Sequence, residues 1–458
     1  MKPVVSDLNI TEAAIEWVES ILKNRITSKI NLIFNRNSLS YELRIEQHTK
    51  FFKMPLFKSF YKLGPQKEMP CGFWEPAAEK IDFFYDKVAT PATKYIDKLI
   101  SIEENIIYIN YDIVGLIYWN YTRCEEIKTK NSYEDKYNRF ESINSHARIN
   151  KYVEHPIVDE WIYILKEIIN IHTSSLRFIK KQFQFNLTHD VDLPSLFYSR
   201  PQNLIRMLAY EDFLKNKPLG DIYKYFKLFI NGSNKLMSPH DPFNSFEWIM
   251  EQSESIGTKS SFYFIPNNLN KRYDGLYSID DKPIIDLIDL INNRGHLIGI
   301  HPGFDTYNNQ ENFIQAVDKF YDFIRKRNIN QIEWGGRMHY LRWIWPETSY
   351  LWSDSFLTYD STLGYFDCPG FRCGTCHEFQ MFDPVAQKRL NIIQRPLIVM
   401  DVSIMHYKNL DLSQEGLLLI SDLIQRCKAV NGLFTLLWHN NYLFTANHRK
   451  FYRMILNQ

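Results

Sequence analysis

The stretch FQFNLTHDVD, Phe183 to Asp192, ends an apolar run in two aspartates at the point where a strand gives way to a loop. Side chains two positions apart leave an extended chain on the same face, so Asp190 and Asp192 point to one spot. Two carboxylates held that close resist joint ionisation unless a cation or an arginine lies between them. The pair therefore predicts a metal site, although the same aspartates would also suit the cap of a helix beginning near Pro194.

Four further polar motifs follow short apolar segments downstream: His301, Arg337, Asp360 and His439 each come just after one. The carboxyl ends of the strands are where a parallel β/α barrel gathers its active site. The strands that we predict cover residues 183–188, 261–265, 297–300, 331–334, 356–359, 397–402 and 433–438, with helical patterns at 283–293, 311–327 and 413–430. This alternation of strands and helices favours an α/β fold with a parallel sheet.

With these motifs in this order, the chain resembles the polysaccharide deacetylases, the NodB-like group of carbohydrate esterase family 4. Thr188 to Asp192 is similar to the first of the family's five motifs, with one residue inserted between the carboxylates. His301, Arg337, Asp360 and His439 fall in the order of the other four, and the resemblance covers about residues 180 to 445. It implies a distorted (β/α)7 barrel and a metal-dependent deacetylase.

One position departs from the family pattern. The second metal-binding histidine of the family would lie four residues after His301, where this chain has Asp305. A carboxylate oxygen also binds zinc, so the resemblance implies a ligand set of Asp192, His301 and either Asp305 or His339, with His339 preferred. A buried core histidine or a solvated loop aspartate is the alternative interpretation of each.

The resemblance also implies a role for each residue. A divalent metal, with zinc as the expected ion, would bind water and polarise the acyl oxygen. Asp190 would be the general base, Arg337 would keep it ionised, His439 would protonate the leaving amine, and Asp360 would orient His439. An apolar wall beside His439 is expected to bring its pKa toward or below neutrality. The expected substrate contacts are stacking on Tyr340, Trp343 and Trp438, and an anionic group near Arg372.

Composition limits the classes of partner. There are 54 basic and 53 acidic residues, a net charge of +1, so no broad attraction to nucleic acid or to anionic membranes is expected. No segment approaches the about 18 apolar residues of a membrane span, and the first residues lack the apolar core of a signal peptide. Six cysteines in 458 residues do not indicate a disulfide scaffold. We expect a cytoplasmic protein with a carbohydrate substrate, and the sequence does not specify its oligomeric state.

The organisation divides near residue 180. Residues 1–180 are predicted to form a smaller accessory α/β domain, with helices at 10–25 and 156–171 and a strand at 29–34, and residues 181–458 the barrel. The segment 197–260 is long for a connection between strands, and its aromatic residues would either roof the cleft or pack outside the barrel. Cys373 and Cys376 have zinc-ligand spacing, but incidental thiols are the better interpretation, since no second pair of cysteines exists.

Two classes of function remain. The first is hydrolysis of an N-acyl group, most simply acetyl, from a sugar of a glycan or of its precursor. The second is a carbohydrate-binding or scaffolding protein with a degenerate barrel, which the missing second histidine makes credible. The presence of a base candidate, an acid candidate and Arg337 favours the enzyme.

Overall fold

The computed structural model describes residues 10–129, 131–173, 176–196 and 241–458. Strands β1 to β7 occupy Ile30–Asn35, Ser40–Ile45, Phe51–Pro55, Cys71–Trp74, Val88–Pro91, Ile100–Glu103 and Ile106–Ile109. Strands β8 to β16 occupy Gln184–Val191, Ser260–Phe264, Leu297–Ile300, Gly335–Gly336, Tyr359–Asp360, Phe379–Asp383, Lys388–Gln394, Val399–Met400 and Leu433–Leu437. The α-helices, α1 to α10, are Glu12–Arg25, Ile113–Tyr121, His146–Ile149, Ile157–His172, Phe246–Ser255, Lys282–Asn293, Gln310–Lys326, Glu347–Ser353, Gln414–Ala429 and Ala446–Leu456.

The larger sheet has the order β13-β14-β12-β11-β10-β9-β8-β16-β15. All neighbouring strands in it are parallel except β13, which pairs antiparallel with β14 at one edge. An α/β fold with a parallel sheet is therefore confirmed. Strand pairing among the described residues leaves the sheet open between β13 and β15, so its closure into a seven-stranded barrel stays a prediction.

The N-terminal region has a sheet of its own, in the order β1-β2-β3-β7-β6. Helix α1 begins where the Thr11 side chain accepts a hydrogen bond from the Ala14 N–H, and it buries the apolar face that contains Trp17. That indole stacks on Phe382 with ring centroids 4.9 Å apart, and its Nε1–H donates to the Gln380 carbonyl at 2.8 Å. The N-terminal region thus packs directly on the edge hairpin of the larger sheet.

The strand predicted at 331–334 is wrong: in the structure the strand begins directly after this segment and occupies Gly335–Gly336. A Cβ on Gly336 would come within 1.7 Å of the Ile300 carbonyl oxygen, and a Cβ on Gly335 within 2.3 Å of the Tyr359 oxygen. Only glycine permits neighbouring backbones to approach this closely. The backbones of neighbouring strands therefore approach closely at Gly335 and Gly336, directly before Arg337.

The other expected elements are confirmed to within a few residues, but the β13–β14 hairpin was not predicted. Of the expected roof, residues 197–240 lie outside the described residues. Trp248 is described and lies 5.8 Å from the Tyr452 ring of α10, so it packs beside the sheet. Within the described ranges, no helix combines the length and the apolarity needed to cross a bilayer.

Candidate active site

A cavity of about 830 Å³ opens at the carboxyl ends of the parallel strands. Asp190 and Asp192 reach it from the end of β8, and His301, His339 and His439 from the segments that follow β10, β11 and β16. Strands of a parallel sheet all present their carboxyl ends to the same side. Residues far apart in the sequence therefore converge on one volume.

Three potential metal ligands meet in this cavity. The Nε2 atoms of His301 and His339 lie 3.3 and 3.5 Å from Asp192 Oδ1, and one ligand atom from each residue falls within 4.8 Å of the others. His301 Nδ1 lies 2.7 Å from the Arg337 carbonyl, which only accepts, so the ring donates there and keeps a lone pair on Nε2. His339 Nδ1 similarly faces Asp274 Oδ1 at 3.0 Å. Carboxylate or carbonyl partners behind the rings are typical of metal-binding histidines.

The central oxygen of this group, Asp192 Oδ1, has no further partner in the described part of the chain. Asp192 Oδ1 is buried and receives no hydrogen bond from the described residues. Burial alone would raise the pKa of Asp192, but His339 and His301 outweigh burial and hold that pKa well below its usual value. A buried anionic oxygen facing two imidazole nitrogens is a donor set that suits a divalent cation. The residues present therefore fit the metal that the sequence motifs imply.

Asp305 is not part of this group. Its Oδ2 accepts a hydrogen bond from the Asn270 side chain at 2.8 Å, and its Oδ1 lies 3.9 Å from Arg342 Nη1. The Phe304 N–H beside it donates to Asp274 Oδ1 at 2.7 Å, whereas the Asp305 side chain is about half exposed. Of the two alternatives for the third ligand, the structure brings His339 to Asp192 and leaves Asp305 outside.

Asp190 is held by a fully buried arginine. Arg337 Nη1 donates to Asp190 Oδ1 at 2.7 Å, while its remaining N–H groups bond to Ser361 and Thr188 at 2.9 to 3.1 Å. The other carboxylate oxygen, Oδ2, lies 3.8 Å from His301 Nε2, on the metal side. This arrangement aims one oxygen of Asp190 at the cavity and keeps a positive charge behind the other.

His439 is paired with an aspartate that we did not identify from the sequence. Its Nδ1 lies 2.8 Å from Asp401 Oδ1, and its backbone N–H donates to Asp401 Oδ2 at 2.7 Å. Burial lowers the pKa of His439, but Asp401, Asp192 and Asp190 outweigh burial and raise that pKa to about 9. The expected pKa at or below neutrality is therefore wrong, because a carboxylate and not an apolar wall faces the ring.

Asp360 does not orient His439. Its carboxylate is fully buried and accepts hydrogen bonds from the hydroxyl and the N–H of Thr362. Burial raises its pKa to about 7. The hydroxyl of Thr362 also accepts a hydrogen bond from the Met338 N–H at 3.0 Å. Through Thr362, Asp360 therefore helps to position the segment that contains Arg337 and His339.

Of the predicted substrate contacts, only Tyr340 lines the cavity. Trp438 is fully buried against Tyr452, with ring centroids 5.5 Å apart, and Trp343 is buried against Trp345. Trp438 follows the last residue of β16 and packs against helix α10, while the next residue, His439, faces the cavity. These two tryptophans are core residues and not stacking surfaces.

Arg372 is also absent from the cavity. Its Nε and Nη2 donate to the two carboxylate oxygens of Glu126, at 2.9 and 2.7 Å. Glu126 in turn accepts from Arg123 at 2.8 Å, and all three side chains are buried. Burial alone would raise the pKa of Glu126, but Arg372 and Arg123 lower it to about 2. This predicted substrate residue instead joins the N-terminal region to the larger sheet.

The cysteine loop forms a second cluster, of Asp159, Cys376 and His377. Arg25 Nη1 already lies 2.7 Å from Asp159 Oδ1, and Asp159 Oδ2 accepts from the Cys376 N–H at 2.8 Å. His377 Nε2 lies 3.1 Å from the Val430 carbonyl and so donates to it. The Arg25 guanidinium occupies the place that a metal ion would take beside Asp159, and the His377 ring is bound to Val430. This cluster is therefore a buried ion pair.

Comparison with known proteins gives three findings. Residues 8–174 match the model of a family of unknown function, DUF7033, which is less than half of the chain. No curated protein matches the chain by sequence. Among solved structures, the chain is similar to a "putative polysaccharide deacetylase" from Mycobacterium smegmatis, with a TM-score of 0.40 and 13% identity over 60% of this chain and 83% of that one. It is also similar to PuuE allantoinase, with a TM-score of 0.37 and 11% identity over 60% of this chain and 84% of that one.

Proposed function

We propose that this protein is a metal-dependent hydrolase that removes an N-acyl group, most simply acetyl, from a sugar of a glycan or of a glycan precursor. The observation that carries the proposal is the convergence of Asp192 Oδ1 with the Nε2 atoms of His301 and His339, which lie 3.3 and 3.5 Å away. A carboxylate base candidate and an imidazole acid candidate flank this group on the same cavity. The alternative of a degenerate binding protein depended on a missing histidine, and His339 offers that imidazole.

Asp192, His301 and His339 would hold the cation, and zinc suits two nitrogens and one carboxylate oxygen. A divalent cation at this position supplies a Lewis acid for the acyl oxygen and lowers the pKa of water. The carbonyl of Arg337 and the carboxylate of Asp274 fix both imidazole rings from behind.

The proton transfers belong to the residues on either side. Asp190 accepts the proton of the attacking water, and the hydrogen bond from Arg337 at 2.7 Å fixes one carboxylate oxygen while the other faces the metal group. His439, whose pKa is raised by the Asp401 carboxylate at 2.8 Å, donates to the departing amine. Asp401 at 2.8 Å holds the ring and stabilises its charged form. Amide hydrolysis uses a base for the attacking water and an acid for the departing amine, and both candidates line the cavity of the metal group.

We also propose that the sheet is rolled into a distorted seven-membered barrel. Residues 388–400 pair with β12 through β14 and with β16 through β15. Between these two strands, the Arg395 N–H donates to the Asp360 carbonyl at 2.8 Å and the Ile398 N–H to the Thr435 carbonyl at 3.1 Å. Taken as one strand interrupted at Pro396, this segment would complete a ring with β8 to β12 and β16. Residues 1–180 would be the accessory domain and residues 181–458 the barrel.

The test separates metal binding from turnover. We expect Asp192→Ala and His301→Ala to lose bound zinc, while Asp190→Asn keeps the metal and loses acetate release from an N-acetylhexosamine oligomer. Asp305→Ala, changed at the neighbouring carboxylate, is the matched control and should retain both. Equal metal loss in the Asp190 variant would remove its assignment as base. Wild-type protein that binds no divalent metal would overturn the proposed function.

A further inference from the structure

One wall of the cavity comes from the N-terminal region. Residues 134–140 form a turn closed by a β-bridge between Glu134 and Phe140. Lys136, Tyr137 and Arg139 of this turn line the same cavity as the metal group. The proposed mechanism assigns no role to these three residues, although they lie beside the metal group.

This turn is fixed to the residues around the site. Arg139 donates to Asp135 at 2.7 Å, to the Tyr407 hydroxyl at 3.0 Å and to the Tyr340 carbonyl at 3.4 Å. Its guanidinium also lies 3.6 Å from the centre of the Phe366 ring. These contacts engage the guanidinium of Arg139, so it serves to position the turn.

Three tyrosines from separate segments meet at the cavity mouth. The ring of Tyr137 lies 5.7 Å from that of Tyr273 and 5.1 Å from that of Tyr340, in edge-to-face contacts. Lys136 Nζ lies 5.0 Å above the Tyr137 ring, and the guanidinium of Arg272 lies 5.2 Å above the Tyr273 ring. Both cations therefore line the cavity and lie over rings that are in contact with each other.

Among the described residues, neither of these two cations has a carboxylate partner. Lys136 and Arg272 are exposed, and neither forms an ion pair with the described residues. The carboxylates that line the cavity are engaged elsewhere: Asp190 with Arg337, Asp274 with His339, and Asp192 with the metal group. The mouth of the cavity therefore carries surplus positive charge above an aromatic surface.

We infer that Lys136 and Arg272 form a subsite for an anionic group, a carboxylate or a phosphate, on the N-acylated sugar that this site accepts. The sugar ring would lie against Tyr137, Tyr273 and Tyr340, whose faces and edges suit its C–H groups. This inference rests on the proposed function for the identity of the sugar. It adds that the substrate is charged and that the N-terminal region selects it.

The test measures binding to the full-length, zinc-loaded protein by titration calorimetry. The probes are N-acetylglucosamine, N-acetylmuramic acid with a carboxylate, and N-acetylglucosamine 6-phosphate. We expect wild type to bind one or both anionic probes about tenfold more tightly than the neutral one, with the advantage falling as salt is added. Comparison of the two anionic probes identifies the preferred group.

The variants assign this preference to the two cations. The double variant Lys136→Gln with Arg272→Gln should lose the tenfold advantage, because both positive charges are removed. Lys271→Gln removes the same charge from the adjacent exposed residue, which does not line the cavity, and should keep the advantage. An equal loss in the Lys271 variant, or equal binding of neutral and anionic probes by wild type, would overturn the inference.

Acetate release by wild type distinguishes this failure from failure of the proposed function. If a neutral N-acetylglucosamine oligomer is hydrolysed and no anionic probe binds more tightly, the subsite is wrong and the hydrolase stands. If the anionic probes bind through Lys136 and Arg272 but no divalent metal supports hydrolysis, the subsite stands and the hydrolase is wrong.

Discussion

Glu126→Gln is expected to destabilise the protein strongly, although the side chain lies away from the cavity. Glu126 forms ion pairs with Arg372 and with Arg123, and Arg123 also pairs with Glu125. All four side chains are buried. Glutamine keeps the shape but leaves the guanidinium of Arg372 without a carboxylate. Removal of one partner from a buried ion pair costs about 3–5 kcal/mol, because the remaining charge stays desolvated.

The pH dependence of that loss follows from the pKa of Glu126. The folded pKa is lowered from 4.5 to about 2, so ionised Glu126 contributes stability that is fully present above pH 4.5 and is lost as the pH falls through 2. This lowering of the Glu126 pKa corresponds to about 3 kcal/mol of folding stability at neutral pH, of which about 2 kcal/mol is lost by pH 3. The gap in free energy of unfolding between wild type and Glu126→Gln should therefore narrow by about 2 kcal/mol between pH 7 and pH 3.

Urea denaturation at both pH values measures this gap. The control is Glu42→Gln, which removes the carboxylate of a partly exposed pair with Arg44 at 2.9 Å. Such a pair is worth less than about 1 kcal/mol. The reasoning fails if Glu126→Gln costs no more than Glu42→Gln at pH 7, or if its cost is the same at both pH values.

Three further outcomes are expected. His339→Ala should reduce zinc stoichiometry measured by atomic emission, whereas Asp305→Ala should not; the reverse result would reassign the third ligand. His439→Ala should lower hydrolysis of an N-acetylhexosamine oligomer by about 10² to 10⁴-fold and that of an aryl acetate much less, because an aryloxide leaves without a proton; equal losses would make His439 a structural residue. Gly336→Ala should lower the thermal midpoint and the zinc content together, because its Cβ would meet the Ile300 oxygen at 1.7 Å; a variant with a wild-type midpoint would contradict that packing.

A single rule predicted much of the candidate site: a polar residue just after an apolar strand lies at the carboxyl end of a parallel sheet. It identified Asp192, His301 and His439, which the structure places on one cavity. The same rule missed Asp401, because residues 397–402 were interpreted as one strand and the strand ends at Met400. Asp274 follows no strand directly, so only the folded chain shows that it lies behind His339.

The wrong predictions have a common physical cause. Trp343, Trp438 and Arg372 were assigned to the substrate from their residue type and their position near the motifs. Trp438 packs against Tyr452 of α10, and the partner of Arg372 lies 246 positions away in the sequence. The direction of a side chain and its distant neighbours are set by tertiary packing. Local spacing does not carry that information.

The position of β8 between β9 and β16 has a consequence for how the protein is made. Asp192 leaves the ribosome 247 residues before His439 (439 − 192), an interval of about 12 to 50 s at roughly 5 to 20 residues per second. Throughout that time, the side of β8 that β16 will cover remains an open strand edge, which invites aberrant pairing. A nascent chain therefore carries its two aspartates long before the strand and the proton donor that complete the site, and the site can form only after His439 has been synthesised.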